Sequence, residues 1–475
     1  GVNMLGGRLI DETTMTLTGA LPLAIKPAAR QVAVIGLGTG ITTHTLLGSL
    51  TPESVDTIEI EPAMVEASRG FAPRNAAAFS DPRSHIHIDD AKTFFSTHNR
   101  RYDVIISEPS NPWVSGVSSL FSVEFYRVAK RHLTPDGIIV QWLQLYEFDL
   151  PLLASVMRAL GEVFPDYVIY AADDNDVLVV AGPPQVLAQP LADVFREDGV
   201  RRELNAVEVR AIGDLELRRI GGRRLLHPLF LSYAVPTNSD YRPYVDLNAA
   251  RARFLESDAT ELLELGGAYA PLLALLDPQP AARPSTLSGA EYYAKVERMR
   301  RAHYARDFLL GVVVEPLNIP FSLEKDLELV QLRILRCDHP AQYDSWVHAL
   351  YEVGMATIPY LPRADARALW EKLDTTACRE ALPRAQARWL TLLRALADRD
   401  VVTMTNVARD LLKNPSPSLE SRKSRHYLIA VALAGYLAQG RRANARAFWA
   451  RYGPSPADGI SLELRLLHAH VGAPQ

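Results

Sequence analysis

Gly36, Gly38 and Gly40 alternate through the segment QVAVIGLGTGITTHTLL, and acidic residues recur at intervals after it: Glu59 and Glu61 in IEIEP, Asp90 in IHIDDAKTFF, Glu108 in YDVIISEPSNPW. An apolar run, Val32 to Ile35, leads into the glycines, and a helix-compatible run leads out. A strand that turns through glycines into a helix lets a ligand approach bare backbone at the helix N-terminus. Glu59, an acid at the end of the next strand, can take both hydroxyls of a ribose. Glu61, beside Pro62, reads instead as a helix N-terminal acid. In the third loop Asp90 can accept the amino group of an adenine, while the small Ala91 leaves room for the base. Taken alone, the glycine spacing serves tight packing as readily as binding; the acid in register with it points to a nucleoside. Ile41 stands where G-x-G-x-x-G needs its last glycine, and no G-K-[ST] follows, so a pyrophosphate is poorly served. A nucleoside without phosphates, such as S-adenosylmethionine or a relative, fits better.

These residues need a scaffold that brings loop after loop to one edge. Strands are predicted at 31–35, 55–60, 85–88, 102–107, 137–143, 165–171 and 176–181, with helices between them at about 41–49, 62–69, 91–97, 120–132 and 150–163. That alternation implies a mostly parallel sheet covered on both faces, with ligands at the strand C-terminal ends. The short acidic turn Ala172–Asp176 makes the last two strands a hairpin, so the sheet is expected to end in an antiparallel strand. The fold class is α/β: a seven-stranded, methyltransferase-type, Rossmann-like domain followed by an all-helical domain, either repeat-like or a generic helical bundle. The domain limits are 1–182 for the nucleoside-binding domain, 183–255 for a lid and connecting segment, and 256–475 for the helical part. In the connecting segment, Asp240 belongs to a polar loop that reads either as a returning lid or as a solvated linker, the lid being preferred. In the helical part, runs are expected at 289–308, 323–337, 342–356, 384–397, 399–413 and 425–451. Tyr436, Gly440, Ala445 and Trp449 there match the offsets of a tetratricopeptide repeat.

The chain has 475 residues and a net charge of −4, which gives no strong field toward nucleic acid or membrane. Its two cysteines, Cys337 and Cys378, are far apart in sequence, which suits a reducing cytosol and argues against a disulfide framework or a cysteine zinc site. No His/Cys/Asp cluster has metal-ligand spacing, and no apolar run is long enough to span a membrane. No signal peptide is visible, and the start at Gly1-Val2-Asn3 is that of a trimmed chain or a piece of a longer one.

GLGTG, IEIEP, the DDA turn, the loop YDVIISEPSNP with LFSVEFY after it, and LTPDGIIVQW together resemble the spermidine synthase family of polyamine aminopropyltransferases. Most similar are the bacterial spermidine-synthase-like domains fused to membrane segments. The resemblance covers about residues 5–182. It implies a transferase whose co-substrate is decarboxylated S-adenosylmethionine or S-adenosylmethionine, with no metal, releasing methylthioadenosine. By position, Gly36, Gly38 and Gly40 line the sulfonium nucleoside, Glu59 is the ribose acid, and Asp90 with Ala91 meets the adenine. Glu108 is the acid that orients and deprotonates the attacking amine, and Gln141 is a site-lining glutamine. By the same resemblance Asn111 joins Glu108 and Gln141 as a catalytic position, and Ser110, Trp113, Tyr146 and Asp240 line the substrate side. A sulfonium-bound methylene is electrophilic and its thioether leaves readily, so the protein must present a neutral amine in line and exclude water. Trp113 and Tyr146 can face the sulfonium by cation–π attraction.

Two departures stand out. The family's Asp-x-x-Asp-Pro is here Glu108-Pro-Ser-Asn111-Pro112, so the second acid is an amide. A tyrosine–histidine–glutamate run expected after Asp11-Glu12 is replaced by Thr13-Thr14-Met15-Thr16-Leu17. Both disfavour putrescine, which carries two positive charges. The implied acceptor is a small amine or other small molecule. Methyl or aminocarboxypropyl transfer, or internal cyclisation, from S-adenosylmethionine is the alternative reaction. A non-catalytic nucleoside sensor is the alternative of another class. The helical half is expected to bind a protein or mediate oligomerisation. The implied location is cytoplasmic, as a soluble protein or the soluble part of a membrane-anchored one.

Overall fold

A computed structural model describes residues 10–114, 116–187, 189–265, 270–277, 293–312, 317–335, 343–374, 382–415, 421–454 and 459–472. Cys337 and Cys378 lie outside these residues, as does the start of the helix expected at 289. The chain divides into two compact units, Gly1–Leu263 with Ala282–Tyr293, and Glu264–Ala281 with Ala294–Gln475.

The first unit is built on eight strands: β1 (Gln31–Ile35), β2 (Ser54–Glu59), β3 (Ser84–Ile88), β4 (Tyr102–Ser107), β5 (Leu133–Gln144), β6 (Asp166–Ala171), β7 (Asp176–Gly182) and β8 (Arg219–Gly222). Their order is β3-β2-β1-β4-β5-β7-β6-β8. The first five run parallel, and β7 is antiparallel to both β5 and β6. The chain therefore builds outward from β1 on one side and resumes at β4 on the other, which opens a crevice above β1 and β4. The expected hairpin is present, but its second strand inserts between β5 and β6 rather than ending the sheet. An eighth strand, β8, then pairs antiparallel with β6. Arg219-Ile220-Gly221-Gly222 is too short and glycine-rich to read as a strand; an open sheet edge supplies its partner.

The helices of this unit are α1 (Ile10–Ile25), α2 (Ile41–Leu47), α3 (Pro62–Ser68), α4 (Ala76–Ser80), α5 (Ala91–Thr97), α6 (Val123–Arg131), α7 (Leu150–Val163), α8 (Asp198–Ala206), α9 (Ile212–Glu216), α10 (Arg223–Leu231) and α11 (Tyr244–Phe254). Central strands buried on both faces carry near-continuous apolar runs. Val34, Val104, Val140 and Val180 pack in one core with Leu21 of α1 and Leu46 of α2. Side-chain oxygens start the helices where the sequence supplies them: Glu61 accepts from Ala63 N, Ser122 from Phe125 N, and Asp149 from Leu152 N.

Described helices of the second unit include Ala294–Leu310, Phe321–Leu335, Tyr343–Thr357, Arg363–Asp374, Arg384–Ala397, Val401–Lys413, Arg422–Ala438, Arg442–Tyr452 and Leu462–Gly472. The single run expected at 425–451 is two helices, because Gly440 turns the chain with a φ of +70°. Tyr436 and Ala445 are buried on the two sides of that turn, and Trp449 stacks on His468 with centroids 4.2 Å apart. Among the described residues no helix is long and apolar enough to cross a membrane.

Candidate active site

The glycine turn is set by close approach. Gly36, Gly38 and Gly40 all have left-handed φ, at +94°, +51° and +81°. A Cβ on Gly36 would lie 2.3 Å from the Glu108 carbonyl oxygen, so only glycine lets the β1 and β4 loops meet there. The ladder continues into that contact: Gly36 N–H donates to Ile58 O at 2.8 Å and Glu108 N–H to Ile35 O at 2.9 Å. A Cβ on Gly38 would meet nothing within 4 Å, so this backbone faces open space.

Glu59 closes the far side of the turn. Its Oε2 accepts from Leu37 N at 2.9 Å and its Oε1 from Glu61 N at 3.0 Å. The carboxylate is thereby fixed against the glycine loop, with lone pairs left over for two hydroxyls. Glu61 is the N-cap of α3, as its place beside Pro62 suggests. Asp90 caps α5, accepting from Thr93 N at 2.9 Å through one oxygen, and Ala91 is buried beside it.

Glu108 is half-buried, and Thr42 Oγ1 donates to its Oε2 at 2.7 Å. Burial pushes its carboxyl up to about 7, against the opposing pull of the Thr42 hydrogen bond. Thr42 also lies 3.2 Å from Met15 O, which ties α1 to the same point. Gln141 is buried and bonded within the protein: its Nε2 donates to Ser107 O and Trp142 O at 3.2 and 3.0 Å, and its Oε1 accepts from Tyr126 at 3.3 Å.

The residues expected on the substrate side, with Asn111, gather in two places. Asn111 Nδ2 donates to Tyr146 Oη at 3.3 Å, and Arg253 stacks over the Trp113 ring at 4.9 Å. Ser110 is exposed in the same loop. Asp240 sits apart from these, over α5, where its carboxylate pairs with Lys92 at 2.9 Å and its N–H donates to Glu124 at 2.9 Å. The loop carrying it is anchored further by Asn238, which donates to Ser118 O and Phe121 O.

Sequence reading missed three contributors. Thr42 lies in the first turn after the glycines and was legible only as a helix former. Thr14 Oγ1 donates to Asp176 Oδ2 at 2.9 Å, and both Asp173 and Asp176 are buried in the β6–β7 turn. Burial raises both carboxyls, and the charge of Asp173 raises Asp176 further. Arg253, on α11, comes from outside the strand loops altogether. Among the described residues no group of acids, histidines and cysteines is placed to hold a metal.

A mixed sheet with five parallel strands, a switch point above β1 and β4, a glycine turn and an acid behind it define a Rossmann-like α/β domain. Residues 14–173 match the family described as the spermine/spermidine synthase domain. The chain is 32% identical over 159 residues to the polyamine aminopropyltransferase of Alkaliphilus oremlandii, covering 32% of this chain and 54% of that protein. It is 30% identical over 163 residues to the enzyme of the same name from Caldicellulosiruptor saccharolyticus, covering 34% and 58%. It thus spans about half the length of these curated relatives. A similar solved structure is spermidine synthase from Thermotoga maritima, at 19% identity and a TM-score of 0.34, covering 41% of this chain and 75% of that one.

Proposed function

We propose that this protein transfers an alkyl group from an S-adenosyl sulfonium to a small acceptor, in the manner of an aminopropyltransferase. The observation that carries the reading is the meeting of Gly36 and Glu108. It sets a ribose-type acid, Glu59, and a carboxyl of raised pKa, Glu108, on either side of one glycine turn. The kinship of residues 14–173 to the aminopropyltransferases points the same way.

In this reading the nucleoside lies over Gly38, with its ribose hydroxyls on Glu59 and its adenine toward Asp90 and Ala91. Glu108 accepts a hydrogen bond from the acceptor amine. The amine lone pair attacks the methylene beside sulfur, the carbon–sulfur bond breaks with its electrons going to sulfur, and neutral methylthioadenosine leaves. Glu108 takes the amine proton. A carboxyl of pKa about 7 is well matched to that task near neutral pH. Gln141 acts as a positioning residue, holding β4 and β5 in register beneath Glu108.

A second reading, transfer or cyclisation from S-adenosylmethionine itself, is favoured by one observation. The second loop acid is an amide, Asn111, committed to Tyr146, so less negative charge opposes a substrate carboxylate. The division 1–182 for catalysis, 183–255 for the lid and 256–475 for partner contact or self-association belongs to the same proposal, as does a cytoplasmic setting. Titration calorimetry with decarboxylated and intact S-adenosylmethionine tests it. Binding of one or both supports the reading, and binding of neither contradicts it.

A further inference from the structure

Arg253 lies near the C-terminal end of α11, and the reaction as proposed does not use it. Its guanidinium carbon is 4.9 Å from the centroid of the Trp113 ring. Its Nε is 3.5 Å from Glu147 Oε2, and its side chain is 55% exposed. Neither Nη1 nor Nη2 makes a hydrogen bond among the described residues. The indole covers one face of the guanidinium and Glu147 takes the Nε, so the two terminal nitrogens remain unbonded. That edge is the one with which arginine grips a carboxylate through two parallel hydrogen bonds.

The arginine is held in place. Glu147 has a φ of +50°, a conformation that costs a non-glycine residue energy and needs support around it. The support is on both sides: Leu145 N–H donates to Asn175 O at 2.6 Å and Phe148 N–H to Ser257 O at 3.0 Å. Tyr146, next in the chain, receives Asn111. Asn111, Tyr146, Glu147, Arg253 and Trp113 thus form a closed ring of contacts that joins the Glu108 loop to α11. A guanidinium there repels a second ammonium, and Asn111 in place of an acid weakens the attraction for one. Both differences act in the same direction.

We propose that Arg253 is a specificity residue of this site and binds a carboxylate of the substrate. The carboxylate belongs either to an intact S-adenosylmethionine donor or to an amino-acid acceptor. The inference rests on the nucleoside reading above and names the substrate class of that site.

Calorimetry on the full chain separates the sources, using wild type, Arg253→Met, which keeps the apolar contact to Trp113, and Arg253→Lys. The donor arm compares S-adenosylmethionine, its decarboxylated form and methylthioadenosine. The acceptor arm compares 4-aminobutyrate with putrescine in the presence of methylthioadenosine. We expect Arg253→Met to weaken the carboxylate-bearing ligand of one arm by about tenfold to a hundredfold. Its neutral or cationic counterpart and methylthioadenosine should be unchanged, and Arg253→Lys should restore only part of the loss. Equal affinities in wild type and Arg253→Met for both carboxylates, or equal losses across every ligand, would overturn the assignment. Failure of wild type to bind methylthioadenosine would instead remove the nucleoside reading, and this inference with it.

Discussion

Thr42 Oγ1 donates a 2.7 Å hydrogen bond to Glu108 Oε2, joining the first turn after the glycines to the loop after β4. The bond stabilises the ionised carboxylate, while burial disfavours it and prevails, leaving Glu108 at about 7. The two effects can be separated by mutation.

If Glu108 takes the amine proton, it must be ionised, so the rate should fall as pH drops through about 7. Thr42→Val removes the bond that favours the charge and should move this midpoint upward. Glu108→Gln should abolish transfer and leave nucleoside affinity unchanged. A pH–rate profile for kcat/KM in the three proteins checks this. A midpoint unmoved by Thr42→Val would show that another group governs the profile.

The same shift has a consequence for stability. Glu108 rises from 4.5 to about 7 on folding, so between those values the native state keeps a proton that the unfolded chain has lost. Its contribution to stability should therefore decline as pH rises through that window, and Glu108→Gln should flatten the decline. Urea denaturation at several pH values reads it directly.

Glu59→Ala should weaken methylthioadenosine binding by about 1–3 kcal/mol, the worth of charge-assisted hydrogen bonds to a ribose. The variant also frees the Leu37 and Glu61 N–H groups, so part of the loss can come from a looser glycine loop. A thermal melt beside the calorimetry separates these. An unaltered dissociation constant would remove Glu59 from the ribose site.

Gly36 and Gly38 should respond differently to alanine. At Gly36 the new methyl meets the Glu108 carbonyl oxygen at 2.3 Å, so Gly36→Ala should destabilise the domain and displace Glu108. At Gly38 no atom lies within 4 Å, so Gly38→Ala should cost only about 1–2 kcal/mol of backbone strain yet obstruct the nucleoside. Denaturation midpoints and methylthioadenosine affinities, measured on both variants, should rank in opposite orders of severity relative to each other.

Much of the first unit was legible because its interior strands are short apolar runs separated by turn residues. β1 and β4 fall where their β-branched residues end, and α7 starts where Asp149 and Pro151 place a cap and a first turn. β5 begins four residues earlier than expected, because Thr134-Pro135-Asp136-Gly137 carries turn chemistry while its ends pair with β4 across a register shift. α1 was not legible as a helix: Thr13, Thr14, Thr16 and Thr18 disfavour one locally, and burial against α2 and the sheet overrides that preference. At the site, residues within the glycine turn and strand-end loops were identifiable from spacing. Arg253 and the Thr14–Asp176 contact were not, since each joins residues more than 100 positions apart and no local pattern records such a meeting.

Asn111→Asp restores a second acid to the loop and places it against the Tyr146 hydroxyl. Turnover of putrescine should be slight in wild type and should rise in this variant if acceptor charge limits it. Steady-state rates with putrescine, in both proteins, decide the matter. Brisk wild-type synthesis of spermidine would show that the amide is no handicap.

The central claim is tested most directly by mass analysis of the nucleoside product after incubation of the full chain with decarboxylated or intact S-adenosylmethionine and a panel of small amines. Transfer or cyclisation at the methylene beside sulfur predicts methylthioadenosine, formed by wild type and absent with Glu108→Gln. S-adenosylhomocysteine as the product, or a donor returned unchanged under conditions where it binds, would contradict the account.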